Sequence, residues 1–105
     1  MDQDAGAQRR LSHALFGGAQ YRLEVGAAIR SGDLVTITDL AGRLGDPPGK
    51  GSVNIELKVL ESARLLERMP KVGSDRKVYL RAIESPYWDT CRTLSAFAEQ
   101  GVVVG

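Results

Sequence analysis

The sequence predicts a single α+β domain, in which helices surround one short strand and a hairpin. Three observations lead to this fold class. Apolar residues recur at helical spacing in four segments. Before the last of these segments the period changes to the alternation typical of strands, and glycine, proline and aspartate separate the elements. A chain of 105 residues, 43% hydrophobic and 26% charged, has the size and composition of one compact domain.

The first elements are a helix and a strand. A helix is predicted over residues 19–31, because Val25 and Ile29 recur at helical spacing with other apolar residues. It ends at a glycine-aspartate turn, and the branched run at residues 34–37 then predicts a brief strand. Residues 1–12 are expected to form a disordered arm ahead of the domain.

Two further helices follow, separated by a turn. Thr38 is expected to cap the second helix, which ends at Gly45, and Ser52 is expected to cap the third, which ends near Arg64. The stretch "GDPPGKGS" between them has the residue types of a phosphate-binding loop. It lacks the spacing G-x-x-x-x-G-K-[ST] and follows a helix instead of a buried strand. We therefore interpret it as the turn between two helices.

The second half of the chain is predicted to contain a basic hairpin and a last helix. Residues 66–69 and 77–83 are the expected strands, with the turn-rich segment "PKVGSDR" between them. Pro86 is expected at the first position of the last helix, where a proline loses no hydrogen bond that it would have made. That helix is predicted to end at Gly101.

Positive charge is concentrated in the middle of the chain. Residues 50–81 contain eight basic and four acidic side chains, whereas residues 1–49 and 82–105 are weakly acidic. A polyanion such as the phosphate backbone of a nucleic acid is attracted to a segment of this kind. The third helix and the hairpin are therefore the expected meeting place for a polyanion.

Two helices joined by a turn and followed by a basic hairpin are the parts of a winged helix-turn-helix domain. Residues 34–85 resemble the DNA-binding core of the ArsR and MarR group of bacterial transcriptional regulators, above all in "TDLAGRL", "LKVLESARLLER" and "DRKVYLRAI". The resemblance extends more loosely to the first helix and covers about four fifths of the chain. The turn "GDPPGKGS" is longer than is usual in that group.

The resemblance implies a winged helix-turn-helix domain over residues 13–101, followed by a tail at residues 102–105. It has three N-terminal helices, a short strand, a β-hairpin wing and a C-terminal helix. Its implied function is sequence-specific binding of double-stranded DNA in the regulation of transcription. The third helix, residues 52–64, is expected in the major groove, and the wing, residues 70–77, on the backbone or in the minor groove.

Nine side chains are the expected DNA contacts. They are Lys50, Ser52, Asn54, Ile55, Lys58, Lys71, Arg76, Lys77 and Arg43. Asn54 is the expected base reader, because its amide can bond adenine bidentately, and Ile55 is placed to touch a thymine methyl. For any single basic residue, Arg43 included, a solvated surface is an equal or simpler interpretation, and it is the clustering at the wing that favours phosphate contacts.

The last helix is more aromatic than one face of a small domain requires. Regulators that resemble this chain pair through their terminal helices, so the expected homodimer interface consists of Tyr87, Trp88, Leu94 and Phe97. Twofold symmetry would then place two recognition helices about one DNA turn apart. In the alternative interpretation these aromatic side chains complete the core of the monomer.

Catalysis, a metal site and a cofactor are not expected. The single cysteine, Cys91, lies on the apolar stripe of the last helix and has no cysteine or histidine partner at metal-ligand spacing. Metal-sensing members of the ArsR group carry paired ligands, whereas "DTCRTL" supplies one. No nucleophile and base stand at an informative spacing. Regulation would therefore involve a small effector, a protein partner or oxidation of Cys91.

The sequence contains no apolar run that could cross a bilayer and no apolar core of a signal peptide, so a cytoplasmic protein without a membrane partner is expected. Two alternatives to a transcriptional regulator stay open. One is a winged-helix module that binds proteins, and the other is a plasmid or chromosome organising factor.

Overall fold

A computed structural model describes residues 3–71, 73 and 76–99. Over these residues the fold is α+β, as predicted, with five helices and a three-stranded antiparallel sheet. The elements are α1 (Gln3–Leu15), α2 (Arg22–Ala27), β1 (Leu34–Val35), α3 (Ile37–Leu44), α4 (Gly49–Ser62), β2 (Leu66–Arg68), β3 (Leu80–Ala82) and α5 (Pro86–Glu99). No helix in the described part of the chain has the length and apolar character needed to cross a bilayer.

The elements divide into two compact units. A helical unit contains α1, α2 and α5, and a sheet unit, residues 29–85, contains β1, α3, α4, β2 and β3. The helical unit is discontinuous in sequence, because the chain leaves it after α2 and returns at α5. Each unit has its own buried apolar side chains.

The core of the helical unit forms where α2 packs against α5. Trp88 of α5 is fully buried, as are Leu23 and Val25 of α2. Burying a side chain of this size contributes roughly 1.5 to 3 kcal/mol relative to leaving it exposed. Gly26 lies against Cys91 at this contact, so the two helices approach closely. Pro86 is the first residue of α5, as the sequence predicted.

The N-terminal segment differs from its prediction. Residues 3–12, expected within a disordered arm, belong to α1, and the helix predicted over 19–31 is reduced to α2. The hydroxyl of Ser12, a fully buried side chain, donates to the carbonyl of Ala19 and accepts the N–H of Leu23 at 3.1 Å. These contacts join the end of α1 to the loop and helix that follow. They depend on residues brought together by folding, which helical periodicity does not reveal.

The sheet of the second unit has β3 as its central strand, between β1 and β2. The register pairs Leu34 with Arg81 and Val35 with Leu80 on one side, and Leu66 with Ala82, Glu67 with Arg81 and Arg68 with Leu80 on the other. Leu80 and Ala82 are buried and Arg81 is exposed, which confirms the predicted alternation at these positions. Both hairpin strands are shorter than the predicted ranges 66–69 and 77–83.

Helices α3 and α4 pack together in the sheet unit. Leu40 and Ala41 of α3 are buried, and α4 buries Val53, Leu57 and Leu60 of its predicted stripe. Val59 and Ala63, which were expected to face inward with them, are exposed. Since these stripes recur at helical spacing, each helix has one face committed to the core and another available to a partner.

The start of α3 differs from its prediction. Thr36, not Thr38, is the N-cap: its Oγ1 accepts the N–H of Asp39 at 3.1 Å. The reason is conformational, because a cap residue needs an extended backbone and Thr36 has φ −122° and ψ 157°. Thr38 already lies within the helix, and the strand predicted over 34–37 ends at Val35.

Both ends of α4 also differ from their predictions. The helix begins at Gly49, so Ser52 lies inside it and no side chain caps its start. At the other end it stops at Ser62, because Arg64 adopts a left-handed backbone with φ 64°. The N–H of Arg64 donates to the carbonyl of Glu61 at 3.0 Å, and that of Leu65 to Leu60 at 2.9 Å. This is a Schellman motif, in which glycine is the usual residue at the position of Arg64.

Parts of four predictions fall outside the described residues, the first of them residues 1 and 2 of the expected arm. The tail at 102–105 and the predicted helix end at Gly101 lie beyond Glu99, the last described residue. In the expected wing, residues 72, 74 and 75 are not among those that the structure describes.

Candidate nucleic-acid interface

The connection between α3 and α4 is short. Helix α3 ends at Leu44 and α4 begins at Gly49, so only residues 45–48 lie between them. The long turn expected from the stretch "GDPPGKGS" is therefore wrong, because the last four residues of that stretch are the first turn of α4. A connection of this length is the one that helix-turn-helix motifs use.

Glycine is needed at the end of this connection. Gly49 has φ 74°, and a Cβ there would lie 3.0 Å from Oδ1 of Asp46. The N–H of Gly49 donates to the carbonyl of Gly45 at 2.9 Å, which closes the turn. A side chain at position 49 would strain the backbone and crowd the carboxylate, so the entry of the chain into α4 depends on this residue.

The exposed face of α4 lies opposite its buried stripe. Ile55 is 61% exposed, and Lys58 is exposed one turn further along the helix. Lys50 is exposed near the N-terminus, where the unpaired N–H groups of a helix attract anions. Ser52 and Asn54 are partly exposed and lie at the sides of this face.

Glu56 does not share this face. Its side chain is buried on the core side of α4, next to Leu57 in sequence. A carboxylate that would repel phosphate is thereby kept away from the exposed face, on which the basic side chains of α4 lie.

A cleft of about 190 Å³ lies beside this exposed face, between α4, the start of α3 and the hairpin. Its lining includes the apolar side chains Ile37, Leu57, Val78 and Leu80, together with the polar side chains Asn54, Lys58, Glu61 and Arg68. The cleft thus brings Asn54 and Lys58, two of the expected DNA contacts, next to a second cationic group, which comes from the hairpin.

That second cationic group is Arg68, which sequence reasoning did not select as a site residue. Its guanidinium donates two hydrogen bonds to the carboxylate of Glu61, each 3.0 Å long. The Arg68 guanidinium holds the pKa of Glu61 below its ordinary value, with a smaller contribution from the charge of Lys58. The same ion pair raises the pKa of Arg68. Because the pair joins α4 to β2, only the packing of α4 against the hairpin reveals it.

The exposed side of the hairpin carries a second ion pair. Arg81 of β3 and Glu67 of β2 are register partners, and Nη2 of Arg81 lies 2.7 Å from Oε1 of Glu67. Cross-strand pairs of opposite charge stabilise such a sheet modestly, by roughly 0.2 to 1 kcal/mol. Because this pair cancels two opposite charges, the strands of the hairpin are nearly neutral. The excess positive charge of the hairpin therefore lies towards its tip.

The tip of the hairpin holds the expected wing contacts. Lys71, Arg76 and Lys77 are all exposed, as is Arg43 on α3. Since all four lie in the sheet unit with α4, this unit contains every one of the nine predicted DNA contacts.

The predicted pairing residues lie on α5, in the helical unit. Trp88 is 0% exposed, so the fold of one chain already covers it and it is not part of the surface. Tyr87 packs edge-on against Trp88 with ring centroids 5.3 Å apart and is partly buried, as is Leu94. Phe97, at 55% exposed, is the one of the four that lies open on the surface.

The sheet unit thus combines two packed helices, a short turn and a hairpin with a basic tip. The function of the chain has to be inferred from this geometry and charge, because no protein-family model, no curated protein and no solved structure matches the chain.

Proposed function

We propose that the chain is a winged helix-turn-helix transcriptional regulator, similar to the ArsR and MarR group, that binds double-stranded DNA. One observation carries the proposal. Helices α3 and α4 are joined by four residues and lie in one compact unit with an antiparallel hairpin, and basic side chains are exposed on all three. In domains of this kind the second helix of the pair enters the major groove.

Helix α4 supplies the base contacts in this proposal. Asn54 bonds an adenine edge, and the exposed Ile55 touches a thymine methyl. Lys50 and Ser52, near the N-terminus of α4, bind phosphate with the help of the helix dipole. Lys58, one turn after Asn54, reaches a phosphate or a guanine.

The wing and α3 supply backbone contacts. Lys71, Arg76 and Lys77 bind phosphates on one side of α4, and Arg43 lies on α3. Arg68 is added to this set, because more than half of its side chain is exposed at the rim of the cleft that Asn54 and Lys58 also line. Its pairing with Glu61 fixes its guanidinium in place, so it can bind a phosphate oxygen without further ordering.

A homodimer in the cytoplasm is part of the proposal. Phe97 supports pairing through α5, because a large apolar side chain exposed on a terminal helix gains from being covered by a second copy. Trp88 no longer belongs to the proposed interface, since one chain buries it. The two copies of α4 would then read half-sites separated by about one helical turn, roughly 34 Å.

The salt dependence of binding tests the proposal. Fluorescence anisotropy of labelled duplexes, at a series of salt concentrations, should give a linear fall of log affinity with log salt, with a slope of about −0.9 for each phosphate neutralised. Selection from a random DNA pool should then yield a pseudo-palindromic site. If the purified chain bound neither random nor genomic DNA at low salt, the proposal would fail.

One observation favours a second candidate, a winged-helix module that binds a protein. Ile55 and Val59, one turn apart on α4, are 61% and 36% exposed, and an apolar pair of this kind suits a protein surface. Two variants, Ile55→Ser and Lys58→Gln, distinguish the DNA-binding function from the protein-binding module. DNA binding predicts that Lys58→Gln lowers the salt slope, whereas a protein module predicts no affinity for duplex in either variant. DNA binding without any sequence preference would instead favour an organising factor.

A further inference from the structure

The helical unit contains a cleft whose chemistry the proposed function does not use. It has a volume of about 380 Å³ and is lined by Gly6, Arg9, Arg10 and His13 of α1 and by Gln20 of the following loop. The four residues of α1 recur at helical spacing, so they share one face of the helix. None of these lining residues is acidic, and the cleft therefore favours an anion.

The guanidinium of Arg9 lines this cleft and is held in place by contacts on two sides. Its Nε donates to Oε1 of Glu24 at 3.0 Å, and its Nη2 donates to Oε2 at 3.3 Å. On another side the guanidinium lies 5.2 Å from the centroid of the Tyr21 ring. Glu24 offsets the charge of Arg9, while both contacts hold the guanidinium in place. A ligand that touches Arg9 thus loses little free energy in ordering it.

Arg10, His13 and Gln20 supply the available donors. All three are exposed, and none of their side chains forms a hydrogen bond or ion pair with another described residue. A guanidinium has five N–H groups, a side-chain amide two, and an imidazole one or two. The Arg10 guanidinium lies close to Gly6, because a Cβ at position 6 would be 3.4 Å from its Nη1, an ordinary van der Waals contact.

This donor set fits a phosphate group. The terminal oxygens of a phosphate dianion accept several charge-assisted hydrogen bonds from different directions, more than a carboxylate can. None of the described residues that line the cleft is Phe, Tyr or Trp, so the cleft lacks the large aromatic ring on which a nucleobase usually stacks. We propose that this cleft binds inorganic phosphate or the terminal phosphate of a small phosphate monoester, independently of the DNA surface on the sheet unit.

The test is a titration of the intact chain with inorganic phosphate, followed by amide chemical shifts in NMR. The amides of Arg10, His13 and Gln20 should move together and saturate. Arg10→Gln should weaken binding about tenfold or more, the effect expected for losing a charge-assisted hydrogen bond. Arg30→Gln is the matched control, because it makes the same change of charge at an exposed position in the other unit and should leave phosphate binding unchanged.

A second variant tests the cleft without changing its charge. Gly6→Leu fills the space beside Arg10 and favours the helix, so it should fold and still lose phosphate binding. Equal weakening by Arg10→Gln and Arg30→Gln, or no saturable shifts with phosphate, would overturn the proposal. Titration with a short duplex separates the two phosphate sources. If the cleft amides responded to the duplex but not to phosphate, the cleft would belong to the DNA surface and the proposal would be wrong.

Discussion

Gly26 of α2 faces Cys91 of α5 so closely that a Cβ at position 26 would lie 2.5 Å from the sulfur of Cys91. Gly26→Ala should therefore lower the free energy of unfolding by about 1 to 3 kcal/mol, the usual effect of overpacking a core. The thiol is the main obstacle, so the same substitution in a Cys91→Ala background should be less destabilising. Urea denaturation of both single variants and the double variant measures the coupling. If the effects of the two substitutions on the free energy of unfolding were additive, the contact between position 26 and the Cys91 thiol would not be the cause of the destabilisation.

Thr36 should matter for stability where Thr38 does not. Thr36→Ala removes the hydroxyl that accepts the N–H of Asp39, and should cost about 0.5 to 2 kcal/mol in the free energy of unfolding. Thr36→Ser keeps the acceptor and should retain most of that stability. The control is Thr38→Ala, at an exposed position inside α3. Thermal melts of the three variants would contradict this assignment if Thr38→Ala were the more harmful change.

Arg64 is the place where a shorter side chain should stabilise the fold. Because Arg64 has a left-handed backbone, Arg64→Gly should raise the free energy of unfolding by roughly 0.5 to 1 kcal/mol. Arg64→Ala removes the same charge but keeps a Cβ, so it should not stabilise. Chemical denaturation of both variants measures the difference. If both raised stability equally, the charge of Arg64 and not its backbone would be responsible.

We expect the protein to lose stability at alkaline pH because of the buried thiol of Cys91. Burial raises the pKa of its thiol, so the folded chain keeps this proton at pH values where the unfolded chain has lost it. The contribution of the Cys91 thiol to the free energy of unfolding is fully present below the ordinary thiol pKa of about 8.5. It is lost as the pH rises towards the pKa of this thiol in the folded chain. As the pH rises through this range, the free energy of unfolding of the wild type should therefore fall relative to that of the Cys91→Ala variant. A difference that stays constant with pH would contradict the prediction.

Asn54 and Arg76 separate base reading from phosphate binding. On the proposed function, Asn54→Ala should relax the base preference and cost roughly 1 to 3 kcal/mol at a preferred site. Arg76→Ala should weaken binding to every sequence. It should also make the slope of log affinity against log salt shallower by about the amount expected for one phosphate contact. Competition anisotropy with preferred and scrambled duplexes measures both effects. Equal small losses on every duplex would rule out Asn54 as a reader.

Much of the sheet unit could be predicted from local patterns. The stripe of Val53, Leu57 and Leu60 indicated α4, and the alternation around Leu80 indicated β3. Helix boundaries were harder: Thr38 and Ser52 were the predicted caps, whereas the backbone conformation makes Thr36 the cap of α3 and leaves the start of α4 without a side-chain cap. Arg68 was missed as a site residue for a related reason. Its partner Glu61 lies on another element, and only the packing of α4 beside the hairpin brings the two together.

The sequence by itself determined the class of the fold, the order of the elements after α1 and most of the side chains that α4 and β3 bury, because periodicity and turn residues act over a few positions. The tertiary structure decided the rest: that residues 3–15 form a helix, that α4 begins at Gly49 after a short turn, and that one chain buries Trp88. The first and the last of these depend on contacts between residues distant in sequence, and the second on local backbone angles that the residue types alone do not fix. No local pattern encodes the free energy of such contacts.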